Sequence, residues 1–244
     1  PFGMVNLSPD TELGGAWGSG YRYNTQEIKG FSHIHAWQLA GVSVMPLSAK
    51  ESIEQFKRNY YSPFSHEKEI VKPGYHQVFL EKYQTKVELT STTRVGFHRY
   101  AFPDKNENGI LINLSGKLGP SKMKAGQLSQ LTATTLAGSV TNGSTLRRPK
   151  ETVVYFYIEL NTAIKAISDT GAIKQSIIKL ESGAEVLMKV GISYVSVDQA
   201  KLNLEKELPH WDFDQVVEDS KAEWNRHLSR IKIEGGSLKA QRRF

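Results

Sequence analysis

The 244-residue sequence predicts a mainly β protein, a large antiparallel β-sandwich followed by a short two-helix linker. Three observations lead to this prediction. Residues 1–195 consist of short segments rich in Thr, Val and aromatic residues, separated by clusters of Gly, Pro, Asn and Asp. No amphipathic segment of helical length lies between them, which argues against a parallel sheet with crossover helices. A capping-box sequence then opens a helical region at Ser196.

The strand segments follow one another through the first 195 residues. The longest runs from Lys86 to Phe102 and contains no helical stripe of apolar residues. Four shorter segments follow it: GILINLS, TVVYFYIEL, QSIIKLES and EVLMKVGISYVS. Because antiparallel strands can be joined by short turns, this succession favours an antiparallel sandwich.

Residues 196–244 form the predicted helical linker. Ser196 and Asp212 are each followed by a glutamine three positions later, so each is expected to cap a helix, and Pro209 is expected to close the first one. Apolar residues then recur at helical spacing as far as the glycine pair at 235–236: Phe213, Val217, Trp224, Leu228 and Ile231. The sequence therefore predicts two domains, a sandwich over 1–195 and a linker over 196–244.

Composition narrows the classes of function. The net charge is +6 and the pI is near 9.3, yet Lys and Arg are scattered, so we predict no nucleic-acid partner. No apolar run approaches the roughly 18 residues that span a bilayer, so we predict no membrane association. The absence of cysteine excludes disulfides and Cys-ligated zinc. The first residues show no signal peptide, and we expect the chain to be a mature or excised piece of a longer protein.

The segment GYRYNTQEIKGFSHIHAWQLAG, residues 20–41, carries the first candidates for a functional site. If it contains a strand, His33, His35 and Trp37 point to the same face, because side chains alternate along a strand. This spacing fits a metal site, a wall that binds sugar, or one side of a packed core. A metal site needs further ligands and none stands at an informative spacing, so packed or hydrogen-bonded histidines are favoured over a metal.

Two tryptophans suggest the sugar-binding interpretation. Trp17 lies in the glycine-rich stretch GGAWGSGY, which predicts a loop, and Trp37 follows the two histidines. An aromatic ring at a sheet edge can stack on the apolar face of a sugar while neighbouring polar groups bind its hydroxyls. The alternative is that both tryptophans are core residues, and spacing does not separate the two interpretations.

Five acidic residues lie near the histidine-bearing segments and leave an acid–base pair open: Asp10, Glu27, Glu67, Glu69 and Glu88. The sequence around Asp10 predicts a turn that Asp10 caps, and SHEKE at 65–69 predicts a solvated turn. There is no nucleophile elbow of the form G-x-S-x-G. These patterns alone name no reaction.

Six motifs occur in order between residues 1 and 231: PFGMVNLSPDT, SGYRY, IKGFSHIH, FSHEKEIVKPGY, ELTSTTRVGFHRYAFP and WDFD…EWNRHLSRI. Together they resemble glycoside hydrolase family 92, the calcium-dependent α-mannosidases. The resemblance implies a galactose-mutarotase-like supersandwich, a helical linker and then a C-terminal (α/α)6 barrel that would begin about where this chain stops.

The resemblance also implies inverting hydrolysis of α-mannosides, in the breakdown of N-glycans or mannan, by a periplasmic or secreted enzyme. In the family, the barrel supplies the general acid, the general base and the calcium ligands, so no catalytic or metal-binding residue is expected here. This chain would close one side of the pocket against the barrel, its partner, and would be inactive alone. Its expected substrate-binding residues are Trp17, His33, His35 and Trp37.

The sequence departs from the commoner family pattern after FSH. There IHAWQLA stands where many members read something like THLSGTG, so Trp37 replaces a small residue and no linkage preference can be carried over. Two other functions stay open. One is a stand-alone carbohydrate-binding sandwich without hydrolase activity, and the other is a metal-dependent β-fold enzyme that uses His33 and His35.

Overall fold

The computed structural model describes residues 2–14, 20–36, 39–48, 59–103, 108–169, 174–181 and 183–241. In chain order the strands of these ranges are β1 (Ser8–Asp10), β2 (Glu27–Ile28), β3 (Gly30–Ala36), β4 (Leu39–Ser48), β5 (Ser62–Pro63), β6 (Ile70–Lys72), β7 (Tyr75–Leu80), β8 (Thr85–Ser91), β9 (Val95–Ala101), β10 (Asn108–Asn113), β11 (Gly116–Leu118), β12 (Ser121–Gln130), β13 (Thr135–Asn142), β14 (Thr152–Leu160), β15 (Ile164–Asp169), β16 (Gln175–Leu180) and β17 (Glu185–Ser193). The α-helices are α1 (Val197–Glu207), α2 (Phe213–Leu228) and α3 (Leu238–Gln241).

Two large antiparallel sheets form the sandwich. The six-stranded sheet has the order β1-β3-β4-β10-β16-β15, and the nine-stranded sheet has the order β11-β12-β13-β14-β17-β9-β8-β7-β6. A small third sheet pairs β2 with β5. The predicted fold class, an antiparallel β-sandwich followed by helices, is therefore confirmed.

The main core lies between the two large sheets, where β4 lies against β8, β12, β13 and β14. Its largest fully buried aromatic side chains are Phe31, Tyr83, Tyr100 and Phe156. A second core covers the other face of the nine-stranded sheet, where α1 packs on β14 and β17, and α2 packs on β7, β8 and β9. Because alternate residues of β9 face opposite sides, Phe97 belongs to the helix-covered core while Gly96 and His98 face the sandwich interior.

The predicted helix caps are present. The Ser196 hydroxyl accepts a hydrogen bond from the backbone N–H of Gln199 at 3.0 Å, and the Asp212 carboxylate accepts one from that of Gln215 at 3.0 Å. The last strand ends at Ser193, and the division into domains at residue 195 stays a prediction.

The predicted apolar stripe of the second helix is only partly correct. Phe213 is buried, but α2 ends at Leu228, and Leu228 and Ile231 are 56% and 66% exposed. The short helix α3 then follows, which the prediction of two helices missed. In the part of the chain that the structure describes, no helix combines the length and the apolar character needed to cross a membrane.

Candidate functional site

The candidate site begins at the edge of the six-stranded sheet, where β1 pairs with β3. Asp10 ends β1 and is 1% exposed, and its Oδ1 lies 2.7 Å from Nε2 of His35. Its second carboxylate oxygen accepts hydrogen bonds from the hydroxyls of Ser32 and Ser43. Nδ1 of His35 lies 2.6 Å from the carbonyl oxygen of Asn6. The prediction that Asp10 caps a turn is wrong, because the residue is a buried strand residue with a basic partner.

Both ring nitrogens of His35 face acceptor oxygens, so the protonated ring satisfies both by donating two hydrogen bonds. Burial alone lowers the pKa of His35, but the charge and hydrogen bond of Asp10, with the Asn6 carbonyl, raise it above its ordinary value. Neither nitrogen is left for a sugar hydroxyl. His35 therefore holds the N-terminal segment against β3, and only its ring carbons remain for contact with a substrate.

His33 lies at one end of a hydrogen-bonded chain in the sandwich interior. Its Nδ1 lies 2.6 Å from the carbonyl oxygen of Val42, and its Nε2 lies 2.9 Å from Nε2 of His98. Nδ1 of His98 lies 2.9 Å from the hydroxyl of Tyr100. One arrangement of protons satisfies every contact: Tyr100 donates to His98, His98 donates to His33, and His33 donates to the carbonyl oxygen. Both rings are then neutral.

Burial is the main reason why these two histidines stay neutral. It lowers the pKa of His33 to about 4 and holds the pKa of His98 well below its ordinary value. The same burial raises the pKa of Tyr100 well above its usual range. This series of hydrogen bonds is thus a structural polar network that links β3, β4 and β9.

Val42 and Gly96 show how the backbone accommodates this network. Val42 has a φ of 51°, which is rare for a β-branched residue, and its carbonyl oxygen is the one that His33 binds. A Cβ atom on Gly96 would lie 2.6 Å from Cδ2 of His33, so only glycine leaves room for the ring.

The burial of His33 argues against its predicted role as a substrate-binding residue. His33 is 0% exposed and both of its nitrogens are occupied, so it reaches no substrate from the surface described here. The interpretation of His33 and His35 as a metal pair also fails, because each ring binds different protein groups. Within the described ranges, no group of three or more His, Asp or Glu side chains is arranged to hold a metal ion. Trp17 and Trp37 lie outside the described residues.

A second cluster forms around Glu69, whose side chain is 5% exposed. Its carboxylate receives three contacts: the Tyr21 hydroxyl at 2.9 Å, Nδ1 of His66 at 2.5 Å and Nε2 of His76 at 2.7 Å. Burial raises the pKa of Glu69, but the hydrogen bonds from His66, His76 and Tyr21 outweigh it and lower the pKa. The prediction of a solvated turn at SHEKE is wrong for Glu69, because its side chain is buried and its carboxylate is bound by Tyr21 and two histidines.

The segment that begins at Gly20 joins the two clusters. The Thr11 hydroxyl donates to the Gly20 carbonyl at 3.2 Å and accepts from the backbone N–H of Arg22 at 2.7 Å. Gly20 has a φ of +91°, and a Cβ atom there would lie 3.0 Å from Cδ2 of His35. One turn of chain therefore packs against His35 on one side and reaches Glu69 through Tyr21 on the other.

Glu88, a third acidic candidate, is also engaged. Its carboxylate receives hydrogen bonds from Arg99 at 2.8 and 2.9 Å and from the Tyr75 hydroxyl at 2.7 Å. Burial raises the pKa of Glu88, but the bonds from Arg99 and Tyr75 outweigh it and lower the pKa to about 2. A general acid needs a raised pKa, so Glu88 is unsuited to that role.

Comparison with known proteins gives two matches to family models. Residues 1–193 match the glycosyl hydrolase family 92 N-terminal domain, and residues 199–244 match the glycosyl hydrolase family 92 catalytic domain. The match to the catalytic domain thus covers the predicted linker except for its first residues, 196–198.

Individual relatives agree with these matches. A protein of Arthroderma benhamiae described as an uncharacterized secreted glycosidase is 26% identical over an alignment 290 positions long, and the alignment covers 98% of this chain and 36% of the relative. A family GH92 α-mannosidase from Bacteroides thetaiotaomicron, solved alone and with mannoimidazole, has a TM-score of 0.83 at 25% identity. That match covers 97% of this chain and 36% of the relative in the structure solved alone. A family GH92 inverting mannosidase of the same organism has a TM-score of 0.80 at 20% identity. That match covers 97% of this chain and 33% of the mannosidase, and at this identity it shows a similar fold only.

The chain therefore spans about a third of the length of these relatives. The match of the N-terminal family model covers well over half of its residues, and the observed sandwich is the fold of the solved relatives. This chain belongs to glycoside hydrolase family 92.

Proposed function

We propose that this chain is the N-terminal part of an α-mannosidase and supplies one wall of the pocket in which an α-mannoside is hydrolysed. Family membership carries the proposal, and the relative solved with mannoimidazole, 25% identical to this chain, supports it. By resemblance the reaction inverts the anomeric centre: a base activates water on one face of the sugar while an acid protonates the leaving oxygen.

The two catalytic carboxylates are proposed to come from sequence beyond residue 244. Three of the five acidic candidates support this assignment, because Asp10, Glu69 and Glu88 are each held by several protein groups. None of these three has a free carboxyl group, and the pKa values of Glu69 and Glu88 are lowered rather than raised. Calcium, if it assists as the resemblance implies, is likewise proposed to be bound outside this chain.

What this chain contributes is binding and shape. The Asp10–His35 pair and the Glu69 cluster fix the segment that starts at Gly20, which follows Trp17 by three positions in the sequence. Trp37 follows β3, which carries His35. We therefore propose Trp17 and Trp37 as the sugar contacts and His35 as a residue that positions them. Export to the periplasm or outside the cell is part of the same proposal, in line with the fungal relative described as secreted.

The function is tested with the longer protein that includes the sequence after residue 244, assayed in calcium against α- and β-linked mannobioses and an α-linked glucobiose. Mannose should be released from at least one α-mannobiose and from neither of the other classes. Cleavage of another class, with all α-mannobioses left intact, would contradict the proposed substrate.

Substitution of Trp37 tests the wall directly. In the longer protein, Trp37→Ala is expected to lower kcat/KM on α-mannosides by an order of magnitude or more, because lost stacking and desolvation amount to about 1–2 kcal/mol. Trp37→Phe keeps a ring and should retain most of the activity. Unchanged kinetics of Trp37→Ala on every α-mannoside would show that Trp37 is a core residue.

A further inference from the structure

Tyr23 presents an exposed aromatic ring that the catalytic proposal does not use. The residue is 71% exposed, and one face of the ring stacks on the imidazole of His66. The ring centroids are 4.2 Å apart and the planes are inclined by only 14°. Since one face is covered and the residue is mostly exposed, the other face is open to solvent.

The ring of His66, which backs Tyr23, is held at both nitrogens and by one aromatic neighbour. Its Nδ1 contacts the Glu69 carboxylate at 2.5 Å, and its Nε2 contacts the backbone carbonyl of Tyr23 at 2.5 Å. The ring of Phe64 packs against His66 edge-on, with centroids 5.0 Å apart and an angle of 82°. Glu69 is itself held by Tyr21 and by His76.

The backbone around Tyr23 is fixed as well. Residues 22–25 form a turn in which the backbone N–H and the hydroxyl of Thr25 both donate to the Arg22 carbonyl, at 3.3 and 2.6 Å. The N–H of Arg22 donates to Thr11 at 2.7 Å, which anchors the turn to the end of β1. The ring is thus held in place before any ligand arrives, which reduces the entropic cost of binding.

We propose that Tyr23, backed by His66, is a stacking platform for a pyranose ring of the bound glycan, at a position beyond the sugar that is cleaved. Three features favour a sugar. The open aromatic face suits the apolar C–H face of a pyranose, the exposed Asn24 beside it can hydrogen-bond hydroxyls, and the turn lies on the same segment as Gly20, which packs on His35. The proposal rests on the proposed function for the identity of the glycan, an α-mannoside.

The test compares a long and a short substrate in the longer protein. With α-mannotetraose, Tyr23→Ala should raise KM roughly fivefold, whereas with an aryl α-mannoside KM should change by less than about twofold. Tyr23→Phe should behave as the wild type, because stacking needs the ring and not the hydroxyl. Tyr194→Ala, at a partly exposed tyrosine before α1, is the matched control and should change neither KM.

Three results would overturn the platform: equal KM values for Tyr23→Ala and wild type on the long substrate, an equal loss on both substrates, or a loss in Tyr23→Phe as large as in Tyr23→Ala. A second readout separates this proposal from the catalytic one. Calorimetric titration with a thio-linked α-mannotriose, which is not hydrolysed, should show roughly fivefold weaker binding for Tyr23→Ala even if the protein cleaves no mannoside. Equal affinity of the two proteins there overturns the platform, whatever the activity assay gives.

Discussion

Lowering the pH from 7 to 4 is expected to reduce the free energy of unfolding by about 3 kcal/mol through His33 alone. The pKa of His33 is lowered from 6.5 to about 4, and each unit corresponds to about 1.4 kcal/mol. In the unfolded chain the histidine takes up a proton near pH 6.5, whereas the folded protein resists until about pH 4. The unfolded state therefore binds more protons in this window, and stability falls as the pH falls.

Other titratable groups also contribute to the dependence of the free energy of unfolding on pH. The lowered pKa of His98 and of His76 adds to the loss in the same direction. The raised pKa of His35 acts oppositely, because that group stabilises the fold below pH 6.5 and loses its contribution as the pH rises through the folded pKa. Glu88, with a pKa of about 2, contributes above its unfolded pKa and loses its contribution only below about pH 4.5.

The contribution of the buried network is isolated by substitution. In the double variant His33→Asn, His98→Gln, the free energy of unfolding, measured in urea at steps of one pH unit, should be lower at pH 7 but should fall less steeply towards pH 4.5. His210→Gln, at an exposed histidine between α1 and α2, should leave the slope unchanged. A double variant whose free energy of unfolding falls as steeply as that of the wild type between pH 7 and 4.5 would contradict the neutral, buried state of the two histidines.

Gly96→Ala is expected to destabilise the sandwich by roughly 2–3 kcal/mol, since overpacking a fixed core site forces its neighbours to move. The added methyl group would lie 2.6 Å from Cδ2 and 2.9 Å from Nε2 of His33. His33 cannot turn aside without losing its hydrogen bonds to Val42 and His98. For a chain of this size, Tm should fall by roughly 5–10 °C.

Gly14→Ala is the matched control for this substitution. The nearest atom to a Cβ there is Glu12 Oε1 at 3.5 Å, so the change should stay within about 0.5 kcal/mol. Combining Gly96→Ala with His33→Ser should cost less than the sum of the two single changes, because the smaller side chain leaves room for the methyl group. An additive pair, or a Gly96→Ala variant as stable as Gly14→Ala, would show that the two residues are not in tight contact.

The sequence predicted those features that depend on local patterns. The apolar run TVVYFYIEL became β14, and the glutamines three positions after Ser196 and Asp212 marked real helix caps. Such features succeed because strand propensity and capping act between residues close in the chain. The prediction of an apolar stripe along α2 was wrong towards the end of the helix, where Leu228 is more than half exposed. Burial there depends on which elements pack against the helix, and the local sequence does not determine that.

The candidate site was predicted less well, because long-range pairing determines its contacts. His33 and His35 lie on a strand as predicted, but their partners are His98, 65 positions later, and Asp10, 25 positions earlier. No spacing rule connects residues so far apart before the register of β1, β3 and β9 is known. Glu69 was among the acidic candidates, but its burial in a cluster was missed for the same reason, since its partner Tyr21 lies 48 positions away.

The central claim is that this chain forms a wall of an α-mannosidase pocket while the catalytic carboxylates come from the sequence that follows it. The most direct measurement is mannose release from a panel of α-linked mannobioses, in calcium, by the 244-residue chain and by the longer protein side by side. The account predicts release by the longer protein and none by this chain. Clear release by the 244-residue chain would contradict it, and Glu27, an acidic candidate on β2, would become the first residue to substitute.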